Sequence, residues 1–197
     1  MLLLGVHNTT TAAEKSTILL LGDSLSAAYG LTQNQGWVHL LNEQWLAENQ
    51  AYHIINASIS GETTAGGLAR LPKLLEQHVV DYLLIELGAN DGLRGFPPKL
   101  IKNNLLQIIT LAKANQIKVW LMDIKIPPNY GARYQTMFTA VFQDIAKQEN
   151  IPLVPFFMEK IAIDQKLMQK DLLHPNIDAQ PIIKDLMAEE LSKLVKE

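Results

Sequence analysis

The stretch Ile18-Leu19-Leu20-Leu21-Gly22-Asp23-Ser24-Leu25-Ser26 joins an apolar run to a short polar turn. A run of four large apolar residues is typical of a strand that is buried on both faces of a parallel sheet. Ser24 follows the carboxyl end of that strand, where the binding and catalytic groups of open α/β sheets lie. The tripeptide Gly-Asp-Ser alone is a weak indication of catalysis, because the same residues are common in turns.

Short apolar runs recur along the chain and alternate with stretches of helical periodicity, such as the spacing of Trp37, Leu41 and Trp45. Strands that alternate with helices form a parallel sheet with helices on both faces. We therefore predict a single α/β domain over residues 16–197, a three-layer α/β/α sandwich with a five-stranded parallel sheet. The predicted strands are 17–21, 52–57, 81–87, 118–123 and 152–155.

Two of the predicted helices carry local signals. Pro72 lies within the apolar spacing of Leu68, Leu71 and Leu75, so we expect that helix to be kinked or divided there. Asp178 precedes the C-terminal helix, and its side chain is expected to cap the first turn.

Polar residues also follow the second and third predicted strands. Gly61 lies in Ile59-Ser60-Gly61-Glu62-Thr63, and Asn90 lies in Gly88-Ala89-Asn90-Asp91. Because parallel strands end at one edge of their sheet, Ser24, Gly61 and Asn90 are expected to lie close together. A serine nucleophile beside peptide and amide donors is the arrangement that acyl transfer needs.

His174 is the candidate general base among the histidines. In Asp171-Leu172-Leu173-His174-Pro175, the proline favours an extended backbone and the acid lies three residues before the histidine. One tight loop can therefore direct the Asp171 carboxylate to Nδ1 and leave Nε2 free to face Ser24. A terminal, helical or strand position accounts for the other four, which are His7, His39, His53 and His78.

With these residues in this order, the chain resembles the GDSL or SGNH hydrolases, whose four blocks centre on a serine, a glycine, an asparagine and a histidine. The likeness runs from residue 16 to the C-terminus. Segments 58–61, 92–96 and 155–159 are similar to the bacterial branch of acyl-CoA thioesterases, lysophospholipases and arylesterases. The resemblance implies a flavodoxin-like SGNH fold and the hydrolysis of carboxylic esters and thioesters.

On this basis each catalytic role has a candidate residue. Ser24 is the expected nucleophile that forms an acyl-enzyme, His174 is the base, and Asp171 orients the imidazole. The backbone N–H groups of Ser24 and Gly61 and the side-chain amide of Asn90 are expected to bind the oxyanion.

Apolar and aromatic residues follow Asn90 and the fourth predicted strand. Leu93, Phe96 and Pro97 come after Asn90, and Tyr130 comes after the strand. We expect them to line a groove for an acyl chain, and the resemblance favours fatty-acyl thioesters, lysophospholipids and aryl or short-chain esters over sugar acetates. The alternative is that these residues only pack the ends of the sheet.

The composition argues against several other classes of function. The formal net charge is −3 and Lys and Arg are scattered, so no basic surface for nucleic acid or an anionic membrane is expected. The chain has no cysteine and no pair of histidines at i, i+4 spacing, so we expect no metal and no cofactor. We expect a monomer that acts on a small-molecule acyl ester or thioester, without stable insertion into a membrane.

The first fifteen residues have a composition of their own. Met1-Leu2-Leu3-Leu4-Gly5-Val6 is apolar but short, and a polar segment follows it. We expect residues 1–15 to be a remnant of a secretory signal, cleaved near Ala12 or Ala13, or a disordered terminus. A signal remnant, together with the resemblance, predicts a periplasmic or secreted protein. The alternative is a cytoplasmic protein.

Three other functions remain open from the sequence. A flavodoxin-like phosphate- or nucleotide-binding module also uses the loop after the first strand, although Asp23 lies where an anion would bind. A non-catalytic lipid carrier is the second and a carbohydrate O-acetyl esterase of the same fold is the third.

The α/β-hydrolases are disfavoured because their Gly-x-Ser-x-Gly motif is absent. Asp23 is then interpreted as a structural residue of its loop.

Overall fold

The computed structural model describes residues 15–195. All but the last residue of the predicted signal remnant therefore lies outside the described residues. Within them, five parallel strands form one sheet in the order β2-β1-β3-β4-β5. The strands are β1 (Ser16–Gly22), β2 (Tyr52–Asn56), β3 (Tyr82–Glu86), β4 (Lys118–Met122) and β5 (Leu153–Val154). The five predicted strands and their parallel pairing are confirmed.

Helices connect the strands and cover both faces of the sheet. They are α1 (Trp37–Ala47), α2 (Thr64–Gln77), α3 (Ala89–Leu93), α4 (Pro98–Ala114), α5 (Ala132–Glu149), α6 (Met158–Ile161) and α7 (Ala179–Leu194). Helix α1 packs beside α7, whereas α2 packs beside α4 and α4 beside α5. These two groups flank the sheet, as the predicted three-layer arrangement requires.

The core lies where the apolar runs of the strands meet the apolar stripes of the helices. Residues 18–21 and 83–85 are fully buried, because β1 and β3 are interior strands with helices on both sides. The central strands therefore form a rigid base whose carboxyl ends hold the polar loops in place.

The prediction that Asp178 caps the C-terminal helix is wrong, and of the two outcomes expected at Pro72 the division of the helix is not observed. Pro72 lies inside α2 without dividing it, because proline removes one hydrogen bond while Gly67 and Leu71 keep the helix packed on the core. Asp178 occupies the N-cap position of α7, but its side chain accepts no capping hydrogen bond. Asn176 caps the helix instead, since its Oδ1 accepts the backbone N–H of Asp178 (3.0 Å) and of Ala179 (3.2 Å).

The length and hydropathy of the helices bear on whether they could span a membrane. Within residues 15–195, no helix is both long enough and apolar enough to cross a membrane.

Candidate active site

The candidate active site lies at the carboxyl edge of the sheet. Ser24 follows β1, Gly61 lies in the loop after β2, and Asn90 lies in the first turn of α3, just after β3. The backbone N–H of Ile59 donates to the carbonyl oxygen of Gly22 (3.1 Å), which keeps the loop after β2 beside the end of β1. The parallel sheet thus brings together three segments that are far apart in the chain.

Ser24, His174 and Asp171 form one hydrogen-bonded series. His174 Nε2 lies 2.9 Å from Ser24 Oγ, across a separation of 150 residues. On the other side of the ring, His174 Nδ1 lies 2.7 Å from Asp171 Oδ2. In this geometry an imidazole can take a proton from a serine hydroxyl while a carboxylate holds its tautomer.

The Asp171 carboxylate is kept ionised by its own loop. Its Oδ1 accepts the backbone N–H groups of Leu173 (2.9 Å) and His174 (3.0 Å). Burial is the largest single influence and raises the pKa, but the hydrogen bonds from the His174 ring and the two backbone groups outweigh it. They lower the pKa of Asp171 to about 2.

Contacts outside the triad of Ser24, His174 and Asp171 hold the loop that carries His174 against the loop that carries Ser24. The backbone N–H of Gln169 donates to the carbonyl oxygen of His174 (2.8 Å). The Gln169 side-chain amide donates to the carbonyl oxygens of Tyr29 (2.7 Å) and Pro175 (3.0 Å). The Tyr29 ring lies against the His174 ring, with 4.2 Å between the ring centroids. One face of the imidazole is therefore covered.

Asp23 connects the serine loop to Asn90. Its Oδ1 accepts the backbone N–H of Leu25 (3.0 Å), and its Oδ2 accepts a side-chain N–H of Asn90 (3.1 Å). A primary amide has a second N–H, which Asp23 does not engage and which is free to meet a substrate oxygen. Asp23 therefore does more than support its own loop.

Gly61 has a backbone conformation that glycine adopts far more readily than other residues. Its φ is +78°, in the left-handed region that disfavours residues with a Cβ. Its carbonyl oxygen accepts a hydrogen bond from the Arg94 guanidinium (3.2 Å). The peptide at Gly61 is thus held in an orientation that few other residues adopt without strain.

The segments that contain Ser24, Gly61, Asn90 and His174 all lie within the match to a known protein family. Residues 20–180 match the GDSL-like Lipase/Acylhydrolase family. The chain belongs to this family. The resemblance seen in the sequence is thereby confirmed, and this GDSL hydrolase is an enzyme that cleaves carboxylic esters.

Individual relatives of this GDSL hydrolase are similar over nearly the whole chain. It is 48% identical over 187 residues to the Thioesterase 1/protease 1/lysophospholipase L1 of Escherichia coli (strain K12), across 95% of this chain and 88% of that protein. It is 49% identical over 182 residues to the arylesterase of Vibrio mimicus, across 92% of this chain and 90% of that protein.

A solved structure is equally similar. The psychrotrophic esterase EstA from Pseudoalteromonas sp., inhibited by monoethylphosphonate, superposes with a TM-score of 0.91 and 51% sequence identity. The match covers 93% of this chain and 100% of that chain. The predicted SGNH fold of this GDSL hydrolase is therefore confirmed.

A cavity of about 490 Å³ opens beside Ser24, Asn90 and His174. A cavity of this volume accommodates a small ligand or an acyl chain. Lys125 and Glu159 are charged members of its lining. Most of the remaining lining is apolar and includes Leu93, Ile126, Phe156, Met158, Met168 and Leu173.

Only one of the residues that the sequence predicted for the acyl groove lines the cavity in the structure. Leu93 lines the cavity, whereas Phe96, Pro97 and Tyr130 are not among the described residues that line it. The Tyr130 hydroxyl donates to the carbonyl oxygen of Leu93 (3.0 Å), and the Tyr134 hydroxyl donates to that of Phe96 (2.6 Å). These contacts hold the segment that carries Leu93.

Several lining residues were missed by sequence reasoning. Phe156, Met158 and Met168 lie between β5 and α7, where apolar side chains are ordinarily interpreted as core. Gln169 was missed too, since a glutamine gives no local signal of the loops that it joins. Only the tertiary course of the chain brings Phe156, Met158 and Met168 to the cavity and Gln169 between the loops of Tyr29 and His174.

Two buried carboxyl groups lie behind the serine loop. Glu86 ends β3 opposite Gly22 and is fully buried, and Asp23 is almost fully buried. Burial raises the pKa of Asp23 to about 6, although hydrogen bonds from Leu25 and Glu86 oppose the shift. Burial, reinforced by the negative charge of Asp23, raises the pKa of Glu86 well above its ordinary value. Both carboxyl groups therefore bind a proton more readily than free carboxyl groups do.

The raised pKa values of Asp23 and Glu86 predict how stability changes with pH. A carboxyl group with a raised pKa binds more protons in the folded state than in the unfolded state, so the free energy of unfolding falls as pH rises. For Asp23 the fall lies between its ordinary value of 3.8 and about 6, and for Glu86 it begins at 4.5 and continues above that range. Each such proton contributes a slope of about 1.4 kcal/mol per pH unit.

Glu86→Gln removes one of the two titrating groups. We expect its unfolding free energy, measured by urea denaturation between pH 5 and 8, to fall less steeply with pH than that of the wild type. The difference between the two proteins reports the titration of Glu86 together with its effect on Asp23, because all other groups are shared. Parallel curves would show that Glu86 does not keep its proton in the folded state.

Proposed function

We propose that this GDSL hydrolase forms a covalent acyl-enzyme on Ser24, with His174 as the general base and Asp171 as the carboxylate that orients it. The observation that carries this proposal is the hydrogen-bonded series, 2.9 Å from Ser24 Oγ to His174 Nε2 and 2.7 Å from Nδ1 to Asp171. The inhibition of the related EstA by monoethylphosphonate supports the same chemistry.

In the proposed reaction, Ser24 Oγ bonds to the acyl carbonyl carbon while its proton passes to His174 Nε2. The carbonyl electron pair moves onto oxygen to form the tetrahedral oxyanion. Collapse of this intermediate breaks the bond to the leaving oxygen or sulfur, which takes the proton from Nε2. A water molecule then repeats the sequence on the acyl-enzyme, releasing the carboxylic acid and restoring Ser24.

The oxyanion is assigned to three donors, the backbone N–H groups of Ser24 and Gly61 and the free side-chain N–H of Asn90. The hydrogen bond from Asn90 to Asp23 supports this assignment, because it fixes one N–H of the amide and restricts the direction of the other. The left-handed backbone of Gly61 supports it in the same way.

The substrate class that we propose is fatty-acyl thioesters, lysophospholipids and aryl esters. Support comes from the apolar lining of the cavity beside Ser24 and from the names of the relatives, a thioesterase and lysophospholipase and an arylesterase. A carbohydrate O-acetyl esterase would need only a small acyl site and polar groups for the sugar. We further propose that the enzyme acts as a monomer without a metal ion.

Treatment with a fluorophosphonate tests the nucleophile. We expect the intact mass to rise by one phosphonyl group per chain, peptide mapping to place it on Ser24, and Ser24→Ala to remain unlabelled. A protein that stays unlabelled after this treatment is instead a ligand-binding module or lipid carrier. Activity in the presence of EDTA tests the metal-free mechanism.

A chain-length series tests the acyl groove. For nitrophenyl esters, kcat/KM should rise over the first several carbons, since each methylene buried in the cavity contributes about 0.8 kcal/mol. We expect Leu93→Ala to flatten this rise, because Leu93 lines the cavity. Val79→Ala, at an exposed residue just before the amino end of β3 and so away from the edge that carries the site, should not change it.

The same series examines the residues predicted from the sequence. If Phe96, Pro97 and Tyr130 contact the acyl chain, Phe96→Ala and Tyr130→Ala will flatten the curve more than they affect acetyl esters. Curves lowered equally at every length would show that these residues only support the loop of Leu93. A preference of the wild type for acetyl esters would favour the O-acetyl esterase.

We also propose that the enzyme acts in the periplasm or outside the cell. The support is the apolar segment Leu2–Val6 followed by small and polar residues up to Ala13. Cell fractionation with mass analysis of the N-terminus tests it. A chain that begins near Ala12 or Ala13 in the exported fraction is expected, and a full-length cytoplasmic chain would contradict it.

A further inference from the structure

Glu86 is a buried acid that the proposed reaction does not use. It is the last residue of β3, is fully buried, and pairs in register with Gly22, the residue just before Asp23. A buried carboxyl group at the end of a central strand costs stability unless neighbouring groups compensate for it. Its contacts therefore indicate what the group does.

The contacts of Glu86 lead toward Asn90. Glu86 Oε2 accepts the backbone N–H of Asp23 (3.2 Å). The close approach depends on Gly22, because a Cβ there would lie 2.6 Å from the same oxygen. Asp23 in turn accepts the side-chain N–H of Asn90 (3.1 Å) and the backbone N–H of Leu25 (3.0 Å).

The charge of this group matters as much as its geometry. Asp23 lies one hydrogen bond from the amide that is assigned to the oxyanion, so negative charge on the pair opposes the charge that develops on substrate oxygen. Burial raises the pKa of both carboxyl groups, and the charge of Asp23 raises that of Glu86 further, so the pair resists carrying two negative charges. The titratable groups that act on the pair are each other and His174, and Ser58 Oγ and Ser26 Cβ lie close to Gly22 beside Glu86.

We propose that Glu86 is a positioning residue of the oxyanion site: by accepting the backbone N–H of Asp23 it fixes that residue, and through Asp23 it directs the side-chain amide of Asn90. The inference rests on the proposed function, in which Asn90 binds the oxyanion. Because Glu86 acts through another residue, its effect belongs in kcat and depends on the presence of Asn90.

A double-mutant cycle tests this dependence with Glu86→Leu, Asn90→Ala and the double variant. Glu86→Leu should lower kcat by roughly 10- to 100-fold, less than the 10²–10³ expected for loss of an oxyanion donor, with KM much less changed. In the Asn90→Ala background the same change should cost less than about threefold, because the residue through which it acts is gone.

Two further variants separate positioning from folding. Glu86→Gln keeps a neutral hydrogen-bonding group of the same length and should restore kcat to within a few-fold of the wild type. Leu84→Ala, on the same strand and equally buried, should lower the melting temperature without the fall in kcat. If Glu86→Leu does not fold, Glu86→Asp enters the cycle instead, since its shorter side chain withdraws the carboxyl group from the Asp23 N–H.

The outcomes distinguish the two assignments. Independent losses from the Glu86 and Asn90 changes, or an equal loss in Glu86→Gln and Glu86→Leu, would overturn the positioning role and leave the oxyanion assignment standing. An unchanged kcat in Asn90→Ala would overturn the oxyanion assignment itself, and the role of Glu86 with it.

Discussion

Ser24→Ala and His174→Ala should each lower kcat for ester hydrolysis by about 10⁶, the scale on which removal of a triad serine or histidine acts. Without Ser24 Oγ there is no atom to carry the acyl group. Without His174, the hydroxyl must attack with its proton still attached, because Nε2 at 2.9 Å is the group that receives it. The measurement is steady-state hydrolysis of a nitrophenyl ester, with circular dichroism to verify the fold.

The double variant and two controls sharpen this result. Ser24→Ala/His174→Ala should be little slower than either single variant, because triad members act as a unit. Ser192→Ala in α7 and His39→Ala, at an exposed position in α1, should retain wild-type activity. Losses that multiply in the double variant would contradict a shared role of Ser24 and His174.

Asp171→Asn should lower kcat by about 10⁴, the size found when such a carboxylate becomes an amide. The asparagine can still accept the backbone N–H groups of Leu173 and His174 through one oxygen. Its NH₂ group then faces His174 Nδ1 and stabilises the tautomer with the proton on Nε2. That tautomer presents a donor to Ser24 and cannot take its proton.

Asp164→Asn is a matched control, because Asp164 also accepts a backbone N–H two residues ahead, from Lys166, but lies outside the triad. It should retain full activity. Since the pKa of Asp171 is lowered to about 2, its own titration should leave no step in the pH–rate profile near neutrality. A loss of less than tenfold in Asp171→Asn would show that another group orients His174.

Several features of this protein follow from local sequence alone. The interior strands could be predicted because runs of four consecutive apolar residues, as at 18–21, 82–85 and 119–122, are typical of strands buried between two helical layers. The positions of Ser24, Gly61 and Asn90 followed from them, since parallel strands deliver their carboxyl ends to one edge. The Asp171–His174 pair could be predicted because both residues belong to one short loop.

Predictions from the local sequence failed where contacts with other parts of the chain determined the conformation of a helix. Pro72 breaks helices in isolation, but α2 is held together by its packing on the core, so the lost hydrogen bond does not divide it. Asp178 and Asn176 are both good capping residues. Which of them caps α7 depends on the path of the preceding loop, which its sequence does not specify.

The sequence thus determined the kind of sheet, the edge at which its polar loops meet and the residue types of the proposed triad, because these depend on short-range patterns. The tertiary structure alone decided that Gln169 joins the loops of Tyr29 and His174, and that Glu86 reaches Asp23 past Gly22. It also decided which apolar side chains line the cavity. These are contacts between distant segments, and a side chain's partner across such a distance is set by the packing of the whole chain, not by its sequence neighbours.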